Sequence, residues 1–337
     1  MSEQAGAFPI ANPYVQWSIL MQQKLRAAVV QSGSVVFDAD RTLDKVATFT
    51  ADAARQGTQL VLFPEAFVSA YPKGLDFGST IGGRTAAGRD DYRRYYDSAV
   101  EVPGPGTGRL GEVAADHKQY IVIGVIERDH GTLYCTALFF GPDGTMLGKH
   151  RKLMPTAGER LIWGYGDGST LPVFDTPFGR LGAVICWENY MPLMRMAMYA
   201  KGVQIYCAPT ADSRPTWASS MQHVALEGRC FVLSACQHLR RSDCPTDYAA
   251  IQGNDPSTVL MSGGSCIVSP LGELIAGPIF EQDALLVADL DLNDLARAKY
   301  DFDVTGHYSR PDIFRLHVNE AATPPVVFEK NGFGSGS

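Results

Sequence analysis

Strand-like apolar runs recur along the whole chain, and helical patterns alternate with them in its first and middle parts. The runs are LRAAVVQ, QLVLFPEAF, YIVIGVIER, LYCTALFF, LGAVICWE, VQIYCAPT, CFVLSACQ, GGSCIVSP and ALLVADLDL. Such runs read as β-strands. After Asp38 and Asp40, which read as N-caps, Leu43, Val46, Ala47, Ala53 and Ala54 recur at helical spacing up to a stop at Gly57. Leu193 to Ala200 reads as a second helix, with Pro192 at its start and Gly202 past its end. Thr216 to Glu227 reads as a third. Three segments, LFFGPDGTMLG, VFDTPFGRLGAV and CIVSPLGELIAG, place Pro-x-Gly between apolar runs. Proline presets φ and glycine permits a positive φ, so each predicts a hairpin turn. Crossover units mixed with hairpins predict an α/β fold with a mixed sheet, or two sheets, covered by helices. No Pro/Ser-rich linker interrupts the pattern. The expected organisation is one domain over residues 24–320, an N-terminal arm at 1–23 and a peripheral tail at 321–337 ending in GFGSGS.

The balance of charge narrows the partners. A net charge of −7 opposes non-specific nucleic-acid binding. No apolar stretch is long enough to span a membrane. The opening MSEQAGAFPIANPYVQWSIL has no basic start and no continuous apolar block, so it does not read as a signal peptide. The seven cysteines are odd in number, and several sit inside apolar runs. Buried free thiols are expected, in a reducing, cytoplasmic setting. A cluster of Cys230, Cys236, His238 and Cys244 has no C-x-x-C pair, so a zinc site is not expected there.

Two glycine motifs fail on context. Gly106, Gly108 and Gly111 satisfy GxGxxG but follow VPGP rather than a strand. Gly148-Lys149 has Asp143 where a phosphate-binding loop needs its first glycine. No GxSxG elbow occurs.

What remains is an acid, a cation and a thiol, each beside an apolar run. Glu65 ends LVLFPE, and Cys186 ends LGAVIC ahead of the predicted helix at Leu193. A cleft position near a positive helix end would favour the thiolate of Cys186. Taken alone, Lys152 in the basic run GKHRK reads as part of a solvated face. Glu159 alone reads as the partner of Arg160 or Arg151. Brought together, such groups form an activated cysteine nucleophile with its base and its charge stabiliser.

The motifs FPEAF, HRKLMPT followed by GER, and ICWEN, in that order, strongly resemble the nitrilase superfamily. HRKLMPTAGERLIWGYGDGS, AMYAKGVQIYCAPTADSR and FDVTGHYSRPDIF resemble its nitrilase branch, and most of Leu25 to His317 looks like the plant-type enzymes, which include β-cyanoalanine nitrilases. The resemblance implies an αββα four-layer sandwich, two stacked mixed β-sheets flanked by helices. It implies Cys186 as nucleophile, Glu65 as general base, Lys152 as stabiliser of the tetrahedral intermediate and Glu159 as a second glutamate. The backbone N–H of Trp187 would help hold the developing charge, and Tyr190 and Trp163 would shape the pocket. It further implies a nitrile substrate converted to acid with some amide, and dimers that lengthen into spirals. Hydrolysis through a cysteine nucleophile requires no metal or organic cofactor. An amidase or carbamoyl-amide hydrolase of the same superfamily would use the same triad. A catalytically silent filament protein and a redox cysteine protein are the readings outside this class. On this reading Lys152 matters for charge, not stability, and Lys149 has no role.

Overall fold

A computed structural model describes residues 23–328. The expected arm at 1–23, apart from Gln23, and the end of the tail lie outside the described residues. The first sheet contains β1 (Lys24–Gln31), β2 (Leu60–Leu62), β5 (Val100–Glu101), β6 (Tyr120–Asp129), β7 (Thr132–Phe140), β8 (Met146–Arg151) and β16 (Ala284–Asp291). The second contains β9 (Val173–Thr176), β10 (Gly179–Ala183), β11 (Ile205–Thr210), β12 (Phe231–Cys236), β13 (His238–Arg240), β14 (Val259–Val268) and β15 (Leu274–Phe280). A small hairpin joins β3 (Ser79–Thr80) to β4 (Gly83–Arg84). The helices are α1 (Ala39–Arg55), α2 (Ala86–Ser98), α3 (Pro105–His117), α4 (Pro192–Ala200), α5 (Thr216–Gly228) and α6 (Asn293–Asp301).

Each sheet has a parallel centre with antiparallel flanks. In the first, β1, β2 and β6 run parallel, while β16, β7 and β8 are antiparallel additions. In the second, β10, β11 and β12 run parallel, with β9 and β14 antiparallel at the flanks. Side chains alternate between the faces of a strand. Ala27 and Val29 of β1 therefore enter one core with Leu181, Ile205, Phe231 and Ile267 of the other sheet. Ala28 and Val30 face the opposite way and pack with Leu43 and Val46 of α1 and Leu110 of α3. On the far side, Tyr206 and Val232 pack with Met198 of α4 and Met221 of α5. The layers are thus helix, sheet, sheet, helix, as expected.

The three Pro-x-Gly segments form the β7–β8, β9–β10 and β14–β15 hairpins. Gly144, Gly179 and Gly272 take the positive φ that these turns require. Asp38 caps α1 by accepting the Arg41 N–H at 2.9 Å, whereas Asp40 lies inside the first turn. The GxGxxG glycines lie in α3. A Cβ on Gly111 would come 2.5 Å from the Gly144 carbonyl, so the glycine lets α3 sit on the β7–β8 turn. Among the described residues no three His, Cys, Asp or Glu side chains are grouped to hold a metal ion, and the cysteines and His238 weighed for one are not brought together.

Candidate active site

The site lies where chain segments leave the ends of β2, β8 and β10. Beyond β2 the chain continues through Phe63 and Pro64 to Glu65, and Gly124 of β6 gives it room. A Cβ on Gly124 would lie 2.6 Å from the Cα of Glu65. The Gln237 side chain donates to the Glu65 carbonyl at 2.9 Å and fixes this turn from the second sheet. Lys152 follows β8, and its N–H donates to the Cys135 carbonyl at 2.8 Å. Cys186 comes three residues after β10, at a φ of 50°, and opens a short 3₁₀ turn, Cys186–Tyr190. That φ is left-handed and uncommon for a residue with a side chain, and such backbone strain clusters at functional sites. Glu159 lies in another 3₁₀ turn, Ala157–Leu161, where its carboxylate accepts the Thr156 N–H at 2.6 Å.

The side chains converge. Lys152 Nζ donates to Glu65 Oε1 at 2.7 Å and to Glu159 Oε2 at 2.8 Å. All of Lys152 and Glu65 is enclosed. Tyr71 donates to the other oxygen of Glu159 at 2.6 Å. Thr210, at the end of β11, donates to Cys186 Sγ at 3.2 Å and accepts the Asp212 N–H at 2.9 Å. A second thiol, Cys135, lies 3.5 Å from Glu65 Oε1. A cleft of about 260 Å³ opens onto Cys186 and Glu159, with Tyr71, Lys73, Trp187 and Arg214 around it.

Electrostatics corrects one expectation. Burial pushes the Cys186 thiol well above its ordinary pKa, and the neighbouring Glu65 carboxylate adds to the rise against the pull of Lys152. Cys186 therefore rests as a thiol, not as a thiolate. The turn it opens is only five residues long and α4 begins at Pro192, so Cys186 does not sit at the N-terminus of α4. Burial also raises the Glu65 pKa, Lys152 opposes the rise and Glu159 reinforces it. Burial alone would lower the Lys152 pKa, but Glu65 and the other surrounding acids outweigh it, so the ammonium holds its proton well above the ordinary range. The site thus contains a permanent cation, a strengthened base and a thiol that needs one.

The basic run is likewise not a solvated face. Lys152 is buried between two carboxylates, and Glu159 pairs with it and with neither Arg151 nor Arg160. Arg160 instead donates to the Pro155 carbonyl at 3.0 Å. Lys149 also has a partner, donating at 2.5 Å to Glu127, a buried carboxylate that Arg151 binds as well.

The aromatic residues separate. Trp187 lines the cleft, and its indole N–H donates to Asp212 at 2.8 Å. Its backbone N–H lies in the first turn of the 3₁₀ segment, where N–H groups have no acceptor within the turn. Tyr190 and Trp163 are not among the lining residues of this cleft. Tyr190 stands behind Trp187, with ring centroids 5.7 Å apart. Trp163 is buried, its ring centre 5.5 Å from Lys152 Nζ, and it backs the ammonium instead of shaping the opening. Sequence reasoning missed Tyr71, Thr210, Asp212, Arg214 and Gln237. Tyr71 and Gln237 carry no local motif, and Thr210, Asp212 and Arg214 lie in the run AMYAKGVQIYCAPTADSR, whose resemblance to the branch does not say which of its side chains reach the cleft.

The family model for carbon-nitrogen hydrolase matches residues 26–300. The chain is 57% identical over 309 residues to bifunctional nitrilase/nitrile hydratase NIT4A of Lupinus angustifolius, covering 90% of this chain and 88% of the relative. It is 55% identical to nitrilase 2 of Arabidopsis thaliana over 90% of this chain and 91% of that one. It is also 55% identical to the aliphatic nitrilase of Sinorhizobium fredii (strain HH103) over 90% of this chain and 98% of that one. Among solved structures, the C. elegans NitFhit protein matches the fold with a TM-score of 0.71 at 21% identity, over 90% of this chain and 69% of that one. This chain belongs to the nitrilase branch of the carbon–nitrogen hydrolase family.

Proposed function

We propose that the protein hydrolyses an organic nitrile to the carboxylic acid and ammonia, releasing some amide, with Cys186 as nucleophile, Glu65 as base, Lys152 holding the developing charge and Glu159, the second glutamate, accepting from Lys152. The reading rests on the buried meeting of Glu65 and Lys152 beside the one thiol that lines the cleft, in a chain 55–57% identical to nitrilases. Glu65 takes the Cys186 proton as sulfur bonds to the nitrile carbon, and passes it to nitrogen to give a thioimidate. Water then adds to that carbon with help from Glu65. Lys152 and the Trp187 N–H hold the charge that develops. If the C–N bond of the tetrahedral intermediate breaks, ammonia leaves and a thioester remains. A second water releases the acid and restores the thiol. If the C–S bond breaks instead, the amide leaves. These steps use side chains, one backbone N–H and water.

Self-association belongs to the same reading. The segment after α6 exposes Ile313, Phe314 and Phe328, apolar surface that a second copy of the chain would cover. All seven cysteines are unpaired, which suits a reducing compartment such as the cytoplasm.

The test is a panel of aliphatic, aromatic, arylacetic and cyanoamino-acid nitriles with the matching amides, scoring acid and amide separately. Turnover of nitriles, with a covalent adduct on Cys186 found by mass spectrometry and loss of turnover in Cys186→Ala, is expected. Turnover of amides alone would make the protein an amidase. An adduct on Cys135 or Cys207 would remove Cys186 from the mechanism.

A further inference from the structure

Glu188 and His150 form an ion pair that no step above uses. Both side chains are fully enclosed, and His150 Nε2 lies 2.9 Å from Glu188 Oε2. His150 Nδ1 lies 2.5 Å from the Thr170 carbonyl. An imidazole carrying both protons satisfies both contacts. Burial favours neutral His150, but Glu188 outweighs it and holds the His150 pKa above its ordinary value.

The Glu188 carboxylate also accepts two backbone N–H groups, from Leu153 to Oε1 at 2.6 Å and from Ile185 to Oε2 at 2.9 Å. Leu153 follows Lys152, and Ile185 precedes Cys186. Lys152 follows the edge strand of the first sheet, and Cys186 follows a strand of the second. A single carboxylate therefore ties the two sheets together where thiol and ammonium meet. Asn189 holds the Cys186 turn itself, donating to the Val184 carbonyl at 3.1 Å and to the Cys186 carbonyl at 2.7 Å.

Desolvating a buried ion pair is expensive, and apolar replacements are often as stable. Stability is thus a weak reason for such a pair here. Position is a stronger one, because a displacement of about 1 Å at a reacting centre can cost about a hundredfold in rate. We propose that Glu188, held by His150, is a positioning residue that sets the placement of the Cys186 thiol against the Lys152 ammonium, and through it both thiol reactivity and the acid-to-amide ratio. The effect on product ratio rests on the nitrilase reading, whereas the effect on thiol reactivity does not.

The test uses the full chain as wild type, Glu188→Gln and His150→Asn. A glutamine offers one acceptor oxygen and turns an N–H donor toward the other backbone N–H, so one of the two ties breaks. The measurements are the alkylation rate of Cys186 by iodoacetamide, localised by mass spectrometry, the acid-to-amide ratio from a nitrile, and the folded fraction by circular dichroism. Per folded molecule, Glu188→Gln should alkylate about tenfold or more slowly and should shift the product ratio. His150→Asn should move both in the same direction by less. A merely structural pair would lower the folded fraction and leave both readouts unchanged, and that result would overturn the proposal. If Glu188→Gln does not fold, His150→Asn decides by the same two readouts. If wild type leaves every nitrile untouched while Glu188→Gln still slows alkylation, the proposed function fails and the positioning role stands.

Discussion

Two carboxylates share one ammonium in the site, and that imbalance governs how single residues behave. Lys152 cannot be removed quietly. Lys152→Met should cost about a hundredfold or more in kcat, the usual scale for one charge-stabilising donor. Contrary to the expectation of an indifferent fold, it should also destabilise the protein by about 3–5 kcal/mol at neutral pH, because Glu65 and Glu159 are left buried without their cation. The pH dependence checks the cause. A buried carboxylate whose folded pKa is raised stabilises the protein below its unfolded pKa, and that contribution is lost as pH rises through the folded value. The deficit of Lys152→Met against wild type in urea unfolding should therefore shrink as pH falls. A deficit independent of pH would argue that packing, not charge, is lost. On the proposed mechanism the raised Glu65 pKa should set the acid limb of wild-type kcat/KM above the ordinary glutamate value of 4.5. Activity should fall as pH drops through that limb. No alkaline loss should come from Lys152 below its ordinary value of 10.5.

At the scale of elements, β8 and its exit show how alternation divides labour within one basic run. Lys149 and Arg151 point to Glu127, while His150 and Lys152 point to the buried side. Lys149→Met should leave turnover per folded site near wild type and weaken folding by about 1–2 kcal/mol, since Arg151 still binds Glu127. Activity assays beside urea melts would separate it from Lys152→Met, and a large kcat loss would mean that the strand transmits strain to the site. The same run marks what the sequence discloses. Spacing alone suggested a solvated face, because strand alternation is visible only when one face is apolar, and here both faces are polar and paired. Elements with local chemistry were legible: three hairpins through Pro-x-Gly, α1 through Asp38, α4 through Pro192 and Gly202. α2 and α6 were not, since both are strongly polar and their buried positions are few. α3 was hidden by glycines whose role is close packing on a turn. Glu65, Lys152, Cys186 and Glu159 were legible as motifs. Their partners Tyr71 and Thr210 were not, because Tyr71 meets Glu159 and Thr210 meets Cys186 only when strands far apart in the chain are assembled into each sheet.

For the whole molecule, the uncovered surface after α6 is the feature that a single chain does not account for. Phe314 is 77% and Phe328 91% exposed. The segment between them does not simply trail away. Glu320 pairs with Lys201, Asp167 accepts the Thr323 N–H at 2.8 Å, and a Cβ on Gly168 would collide with the Asn319 carbonyl. The segment is therefore docked on its own subunit through polar contacts while its apolar side chains face outward. Docking an arm while leaving its aromatics in water gains little unless another surface covers them. On the proposed self-association a second copy of the chain would do this, and if the contact did not close on itself the assembly would lengthen. Light scattering over a wide concentration range should show large, heterogeneous species. Phe314→Asp should shift them toward smaller ones, because a charge in an apolar contact must be desolvated without a partner. Phe314 is not among the residues around Cys186, so any fall in turnover that accompanies the size shift would show that assembly itself supports the site. A wild-type monomer at every concentration would exclude the self-association reading while leaving the chemistry of the cleft untouched.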